Sequence, residues 1–289
     1  MGSLFSKKDR GRVGVDFGPG EVRLVWVEGD QILALDRRSC DDSNLAESLQ
    51  AAVAAAEVPK NTPATIFFSA RYNCILDKRR PVELDGLSPQ QQLQAVRYDA
   101  ERYVPYNLDE AHLSFRVLAK QDHETLVAVD AVAREERQEA ASLLRAAGLR
   151  PQSYETRLRE ALTNLVRRFY PGCPDGFCVF HVDGPWVRCL GCPAGYHLAG
   201  QISGFDQRDD YLATIDRNVL FQQSKKIPVE AVYLTGSAAH DAIAQAAQEE
   251  VGIPCSAVRL RWNDQTHDPA FTLATALALL KPEPGLSFD

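Results

Sequence analysis

No apolar run in the sequence approaches the roughly 18 residues needed to span a bilayer, and no secretory hydrophobic segment follows the start. A soluble, cytoplasmic protein is therefore the expectation. Basic charge is also in deficit: 32 Lys and Arg against 39 Asp and Glu leave a net charge of −7. That balance excludes a general nucleic-acid binder, which needs a basic face to displace counterions from phosphates. Cysteine is present but in odd number, seven residues at 40, 74, 173, 178, 189, 192 and 255. An odd count in a chain of this length is not a disulfide framework, and a reducing compartment fits it. The Gly-x-Ser-x-Gly, Walker A and Gly-x-Gly-x-x-Gly motifs are absent, so three common routes to an α/β enzyme are closed. His112, His123, His181, His197, His240 and His267 are scattered and form no metal-binding spacing.

What is there is an ordinary globular balance, 45% hydrophobic and 25% charged over 289 residues. That is enough for one large domain or two lobes. Val13 to Val27 reads as two strands around a Gly/Pro turn, and Ile32 to Leu35 as a third. Leu45 to Val58 has apolar residues at helical spacing, and Ala64 to Phe68 is a short buried strand. From about residue 76 the character changes. A strand from Ile75 is followed by the polar helix Pro89 to Arg102, which Pro105 ends. The strands His112 to Leu118 and Thr125 to Val132 follow, then a helix from Arg134 to Ala147, stopped by Gly148. This stretch reads as a small inserted α/β unit. After the helix Leu158–Tyr170, Pro171 to Gly176 is the clearest linker. Beyond it come the strands Phe177–Val182, Trp186–Leu190 and Tyr196–Leu198, a helix Asp210–Ser224 and a strand Val229–Leu234. The chain closes with a helix to Val251, a strand Ser256–Arg261 and an apolar helix Phe271–Leu280.

The most informative feature is an internal echo. Val15-Asp16-Phe17-Gly18-Pro19, followed by Glu21-Val22-Arg23-Leu24, is repeated in outline by Val182-Asp183-Gly184-Pro185, followed by Trp186-Val187-Arg188. Each copy places an aspartate at a strand end, then a tight turn, then a strand carrying Val-Arg. Turn chemistry alone also favours Asp and Gly at such places. A third element, the strand ending in Thr235-Gly236-Ser237, opens a helix. Two strand–Asp–hairpin units half a chain apart, then a strand–turn–helix, resemble the actin, Hsp70 and sugar-kinase superfamily. In that superfamily two facing hairpins hold a nucleotide's phosphates through backbone N–H groups, and the aspartates organise Mg²⁺ waters.

Over nearly its whole length the sequence resembles the PilM family of type IV pilus assembly proteins. The carriers are Leu4-Phe5-Ser6-Lys7-Lys8, Val13 to Gly18, Val22 to Val25, and Glu101-Arg-Tyr-Val-Pro-Tyr-Asn-Leu-Asp-Glu-Ala-His-Leu-Ser-Phe-Arg-Val-Leu118. Leu144 to Leu149 and Tyr233 to Ser237 continue the match. Short forms in the mannose-sensitive haemagglutinin pilus and the L-type proteins of secretion systems are similar. The resemblance implies an α/β protein of actin-like fold, with duplicated lobes, a small inserted domain and a trimmed second lobe. Its parts would be residues 1–75, 76–152 (the insert), 153–170, 171–270 and 271–289, the last returning to the first lobe.

The implied function is a scaffold under the inner membrane, which binds the cytoplasmic tail of a bitopic, PilN-like partner between first lobe and insert. Some members bind ATP with Mg²⁺, and the alternative is an Mg-dependent ATPase. Asp16, Gly18, Gly20, Asp183, Gly184, Thr235, Gly236 and Ser237 are the residues expected at such a cleft. Several departures bear on it. Asp183-Gly184 lacks the usual intervening residue, no Gly-Gly pair follows the second hairpin, and the third turn has one glycine. Side chains at such turns block backbone approach to phosphate.

Other residues have two readings each. Tyr103, Pro105, Tyr106 and Phe115 could line a peptide groove or pack a core. Leu4 and Phe5, followed by basic residues up to Arg12, suit contact with an anionic membrane surface or a solvated terminus. Cys173-x4-Cys178 with Cys189-x2-Cys192 could hold zinc, yet cysteines in apolar strands are more simply buried core. His181, beside the second hairpin, reads as a strand histidine.

Overall fold

A computed structural model of the chain describes residues 11–71, 74–121, 124–184, 186–191, 198–201, 207–262, 265–281 and 288. Two five-stranded sheets carry the fold. In the first lobe, β1 (Arg12–Gly18), β2 (Glu21–Glu28), β3 (Gln31–Ser39), β4 (Pro63–Phe67) and β8 (Arg150–Tyr154) lie in the order β3-β2-β1-β4-β8. In the second, β9 (Phe177–Asp183), β10 (Trp186–Gly191), β11 (Leu198–Gln201), β12 (Ala231–Thr235) and β13 (Cys255–Ala257) lie in the order β11-β10-β9-β12-β13. The orders are the same, and so are the directions: three antiparallel strands, then two parallel additions in each. Parallel strands need crossover helices. In the first lobe these are α1 (Leu45–Ala55) and α3 (Arg134–Ala146); in the second they are α5 (Gln207–Ser224) and α6 (Asp241–Val251).

Between β4 and α3 the first lobe carries an insert that the second lacks. It consists of β5 (Ile75–Val82), α2 (Pro89–Ala100), β6 (Ala111–Gln121) and β7 (Glu124–Ala133). The three strands form their own sheet, β5-β7-β6, with a separate core around Val96, Ala100, Val127 and Val129. Its helix starts where the sequence says it should. Ser88 accepts from the Gln91 N–H, the Gln91 side chain returns to the Ser88 N–H, and Pro89 fills the first turn. Two elements of the 76–152 segment belong to the first lobe instead: α3 packs on α1, and β8 extends the first sheet.

The last helix of each repeat crosses over. α4 (Leu158–Phe169) packs against β9 and β10 of the second lobe, while α7 (Thr272–Leu279) packs on β1 and β2 of the first. The two helices also pack on each other, so the lobes interlock. Gly14 marks how close this contact is, since a Cβ there would stand 1.9 Å from the Ala274 carbonyl oxygen. The stretch Ser256–Arg261, expected as one strand, is instead the end of β13 and the start of a hairpin, β14 (Leu260–Trp262) with β15 (Gln265–His267). The segment Leu4 to Arg10, His123, Pro185 and the stretch from Cys192 to His197 lie outside the described residues.

Candidate functional site

The β1–β2 and β9–β10 hairpins face each other, and one guanidinium lies between them. Arg23, on β2 and fully buried, donates from Nη1 to Asp16 at 2.8 Å and to Asp183 at 2.9 Å. Its Nη2 donates to the other Asp183 oxygen at 2.7 Å, and its Nε to Glu21 at 2.7 Å. Asp16 and Asp183 are both completely buried. A first-lobe cation thus binds carboxylates of both lobes. Such charge-assisted, forked bonds are the strong kind, and burial makes the loss of either partner costly.

The register explains why Arg23 is there. β1 and β2 join through the two-residue turn Pro19-Gly20, which places Asp16 directly opposite Arg23. In the second hairpin Asp183 pairs with Trp186, the position that Gly18 holds opposite Glu21. Aligned by their turns, the hairpins therefore match Asp16 with His181, and Gly18 with Asp183. The echo read from the two aspartates is displaced by two residues. That displacement brings Asp183 to the turn and against Gly18.

The third element closes on the same carboxylate. Ser237 donates its backbone N–H to Asp183 at 3.3 Å and its hydroxyl to the same oxygen. Ser69, just after β4, donates to the second oxygen at 3.3 Å. Gly236 has φ +97°, and a Cβ there would meet the Val182 carbonyl oxygen at 2.4 Å, so only glycine lets this turn lie on β9. Thr235 bonds His181 Nδ1 at 3.1 Å. His181 Nε2 and Asp16 Oδ1 are buried without a hydrogen-bond partner among the described residues, and Nε2 lies 3.6 Å from Asp183.

The two aspartates titrate in opposite senses. Burial pushes Asp16 above the ordinary carboxylate range, with Arg23 opposing and Asp183 reinforcing the rise. Burial would raise Asp183 too, but His181 and the forked bonds from Arg23 outweigh it and hold that carboxyl well below its usual range. Burial works against the Arg23 charge, and Asp16, Asp183 and Glu21 more than compensate.

The expected occupants of this cleft, Mg²⁺ and the phosphates of ATP, do not fit the residues present. The Asp16, His181 and Asp183 ligand atoms lie within 4.8 Å of one another, a spacing that suits a cation. The guanidinium, however, already fills the space between the carboxylates and neutralises them. A Cβ on Gly18 would stand 2.6 Å from Arg23 Nη2 and 2.8 Å from Asp183, and one on Gly184 only 3.0 Å from Pro19. The turns touch, leaving no width for a phosphate chain. The Ser237 N–H that would face a ligand is spent on Asp183. Of the residues expected here, Asp16, Gly18, Asp183, Gly184, Thr235, Gly236 and Ser237 do gather around one point, whereas Gly20 has open space around it. Arg23, Ser69 and the placing of His181 were missed. The cross-strand count from a two-residue turn could have found Arg23.

On the insert, Tyr103, Tyr106 and Phe115 pack half-buried on its core, and Pro105 is exposed. Burial and Asp99 push the Tyr103 hydroxyl up to about 12. Tyr106 is raised further, by burial and by Cys74 and Glu136. Glu136 on α3 accepts a buried hydrogen bond from the Tyr154 hydroxyl on β8. Cys40, Cys173 and Cys255 carry free thiols, but Cys178 is disulfide-bonded, where the odd cysteine count pointed away from disulfides.

No family model matches the chain, and no curated protein matches it in sequence. Solved structures do. A PilM–PilN type IV pilus biogenesis complex contains a chain similar to this one at TM-score 0.75 and 21% identity, over 93% of this chain and 97% of that one. The cytoplasmic domain of EpsL, an inner-membrane component of the type II secretion system of Vibrio cholerae, matches at TM-score 0.52 and 12% identity, over 77% and 81%. A Bacteroides thetaiotaomicron protein with an actin-like ATPase fold and unknown function matches at TM-score 0.51 and 9% identity, over 97% and 100%. The chain has the actin-like fold.

Proposed function

We propose that the chain is a scaffold of a type IV pilus or related secretion machine, binding the cytoplasmic tail of an inner-membrane, PilN-like partner. The observation that supports this most is the likeness to a PilM–PilN complex along almost the whole of both chains. Among the described residues no helix is long and apolar enough to cross a membrane, and contact of residues 4–12 with an anionic membrane surface belongs to this reading. A tail of this kind would settle beside the insert. β6 is an outer strand of its sheet, with Val117 and Leu118 exposed, and can accept an added strand. Tyr103, Pro105, Tyr106 and Phe115 would flank it. A cavity of about 320 Å³ in the first lobe, walled by Phe17, Leu45 and Phe68 with Asp41, Asp42 and Arg71 in its lining, suits an apolar side chain of the tail. The alternative of an Mg-dependent ATPase meets the obstruction at Arg23.

The test is fluorescence anisotropy with a labelled peptide of the cytoplasmic tail of the PilN-like protein encoded in the same gene cluster. Micromolar binding is expected, weakened about tenfold by Tyr106→Ala. Absence of binding by folded protein at high micromolar concentration would overturn the reading.

A further inference from the structure

Asp183 of the second lobe is held mainly by the first. Arg23 and Ser69, both first-lobe residues, take its two oxygens, while Ser237 adds the hold from its own lobe. Pro19 of one turn rests on Gly184 of the other. The clamp is braced from outside as well. Glu21 fixes Arg23 Nε at 2.7 Å, and Arg37 on β3 lies 3.6 Å from Glu21. Every nitrogen of the Arg23 guanidinium therefore meets an acidic oxygen, and none is left to follow a ligand.

In a cleft of this kind two buried carboxylates from opposite lobes need a positive charge between them, because an uncompensated buried charge is expensive. Here the chain supplies that charge covalently. We propose that Arg23 is a built-in clamp that closes the lobes without any ligand, and that Asp16, His181 and Asp183 form a divalent-cation site only once the guanidinium is removed. The scaffold is then constitutively closed, and nucleotide does not control it. This goes beyond the partner-binding reading and does not depend on it.

The experiment uses the full chain, as wild type, Arg23→Ala and Arg23→Gln, in thermal melts and calorimetric titrations with MnCl₂ and with MgCl₂ plus ATP. Wild type should give no saturable heat and no shift of melting temperature with either addition. Both variants should melt lower than wild type and recover in saturable fashion with Mn²⁺, the recovery being reversed by EDTA. If Arg23→Ala does not fold, Arg23→Gln, which retains most of the volume, decides the matter. Saturable binding of Mn²⁺ or Mg–ATP by wild type below millimolar concentration would overturn the proposal, because the guanidinium would then be a movable group. A folded variant that Mn²⁺ leaves unchanged would overturn it equally.

Discussion

His181 occupies in the second hairpin the position that Asp16 occupies in the first. Each sits two residues before the strand's turn-side end, and in the ladder register Asp16 pairs with position 23 and His181 with position 188. The repeat is therefore asymmetric at the point that matters. One lobe offers a carboxylate there, and the other an imidazole whose Nδ1 is tied to Thr235 at 3.1 Å.

Restoring the symmetry should be harmful. His181→Asp would place a third buried carboxylate beside Asp16 and Asp183, with one guanidinium to serve all three. Like charges in a desolvated site raise one another's pKa values, so the new group would favour its protonated form. The expected loss is about 3 kcal/mol or more at pH 8, shrinking towards pH 5 as that group takes up a proton. His181→Asn, which loses the same ring contacts without adding charge, should cost less and show no such slope. Urea unfolding of both variants at the two pH values makes the comparison. Equal losses for Asp and Asn at pH 8 would mean that the site tolerates the extra charge.

Gly14 is where the C-terminal helix meets the first sheet. A Cβ at this position would lie 1.9 Å from the Ala274 oxygen and 2.6 Å from the Ala278 nitrogen, both of them backbone atoms that cannot rotate away. Gly14→Ala should therefore push α7 off β1, at about 1–3 kcal/mol, the usual cost of overpacking. Hydrogen exchange should speed up in Thr272–Leu279 before it does so in β9 or β12. Uniform protection, unchanged in α7, would show that the helix can shift without loss.

Much of this fold was legible because strand alternation, turn glycines and caps each carry a local physical cause. The β1–β2 hairpin and the capped helix α2 are instances. β8 was not legible: Arg150-Pro-Gln-Ser-Tyr154 is polar and contains proline, which only an outer strand tolerates, and its place is set by pairing with β4. The β14–β15 hairpin has three-residue strands, too short for any periodicity to register. At the site, the residue types were readable and the partnership was not. Matching aspartate to aspartate hid the two-residue displacement. That Arg23 reaches across to Asp183, 160 positions later, depends on how the two lobes face, which no local pattern encodes.

The pH dependence of Asp183 tests whether the clamp contributes to stability or merely fills space. Its folded pKa lies well below the ordinary value of 3.8, because nearby His181 and the forked bonds from Arg23 overcome the effect of burial. A carboxyl that binds its proton less tightly folded than unfolded stabilises the fold wherever it is ionised in both states. That contribution is fully present above the unfolded pKa, near 4, and is lost as pH falls from there towards the depressed folded value. Asp183→Asn keeps an acceptor for one donor but removes the charge from the fork. At pH 7 it should cost about 2–3 kcal/mol, as expected for hydrogen bonds to a charged group with Asp16 still neutralising Arg23. Between pH 4 and pH 2 the difference from wild type should narrow, because the wild-type carboxyl loses its advantage as the unfolded chain protonates. Asp16, pushed the other way by burial, works against this slope: its preference for the proton favours the fold at low pH and fades as pH rises through its folded pKa. The double variant Asp16→Asn/Asp183→Asn should accordingly be less stable than either single variant at neutral pH, since it leaves the buried Arg23 with Glu21 alone as an ionised partner. Denaturant melts at pH 3, 5 and 7 on all four proteins read these terms directly, and a double variant no worse than Asp183→Asn would remove Asp16 from the clamp.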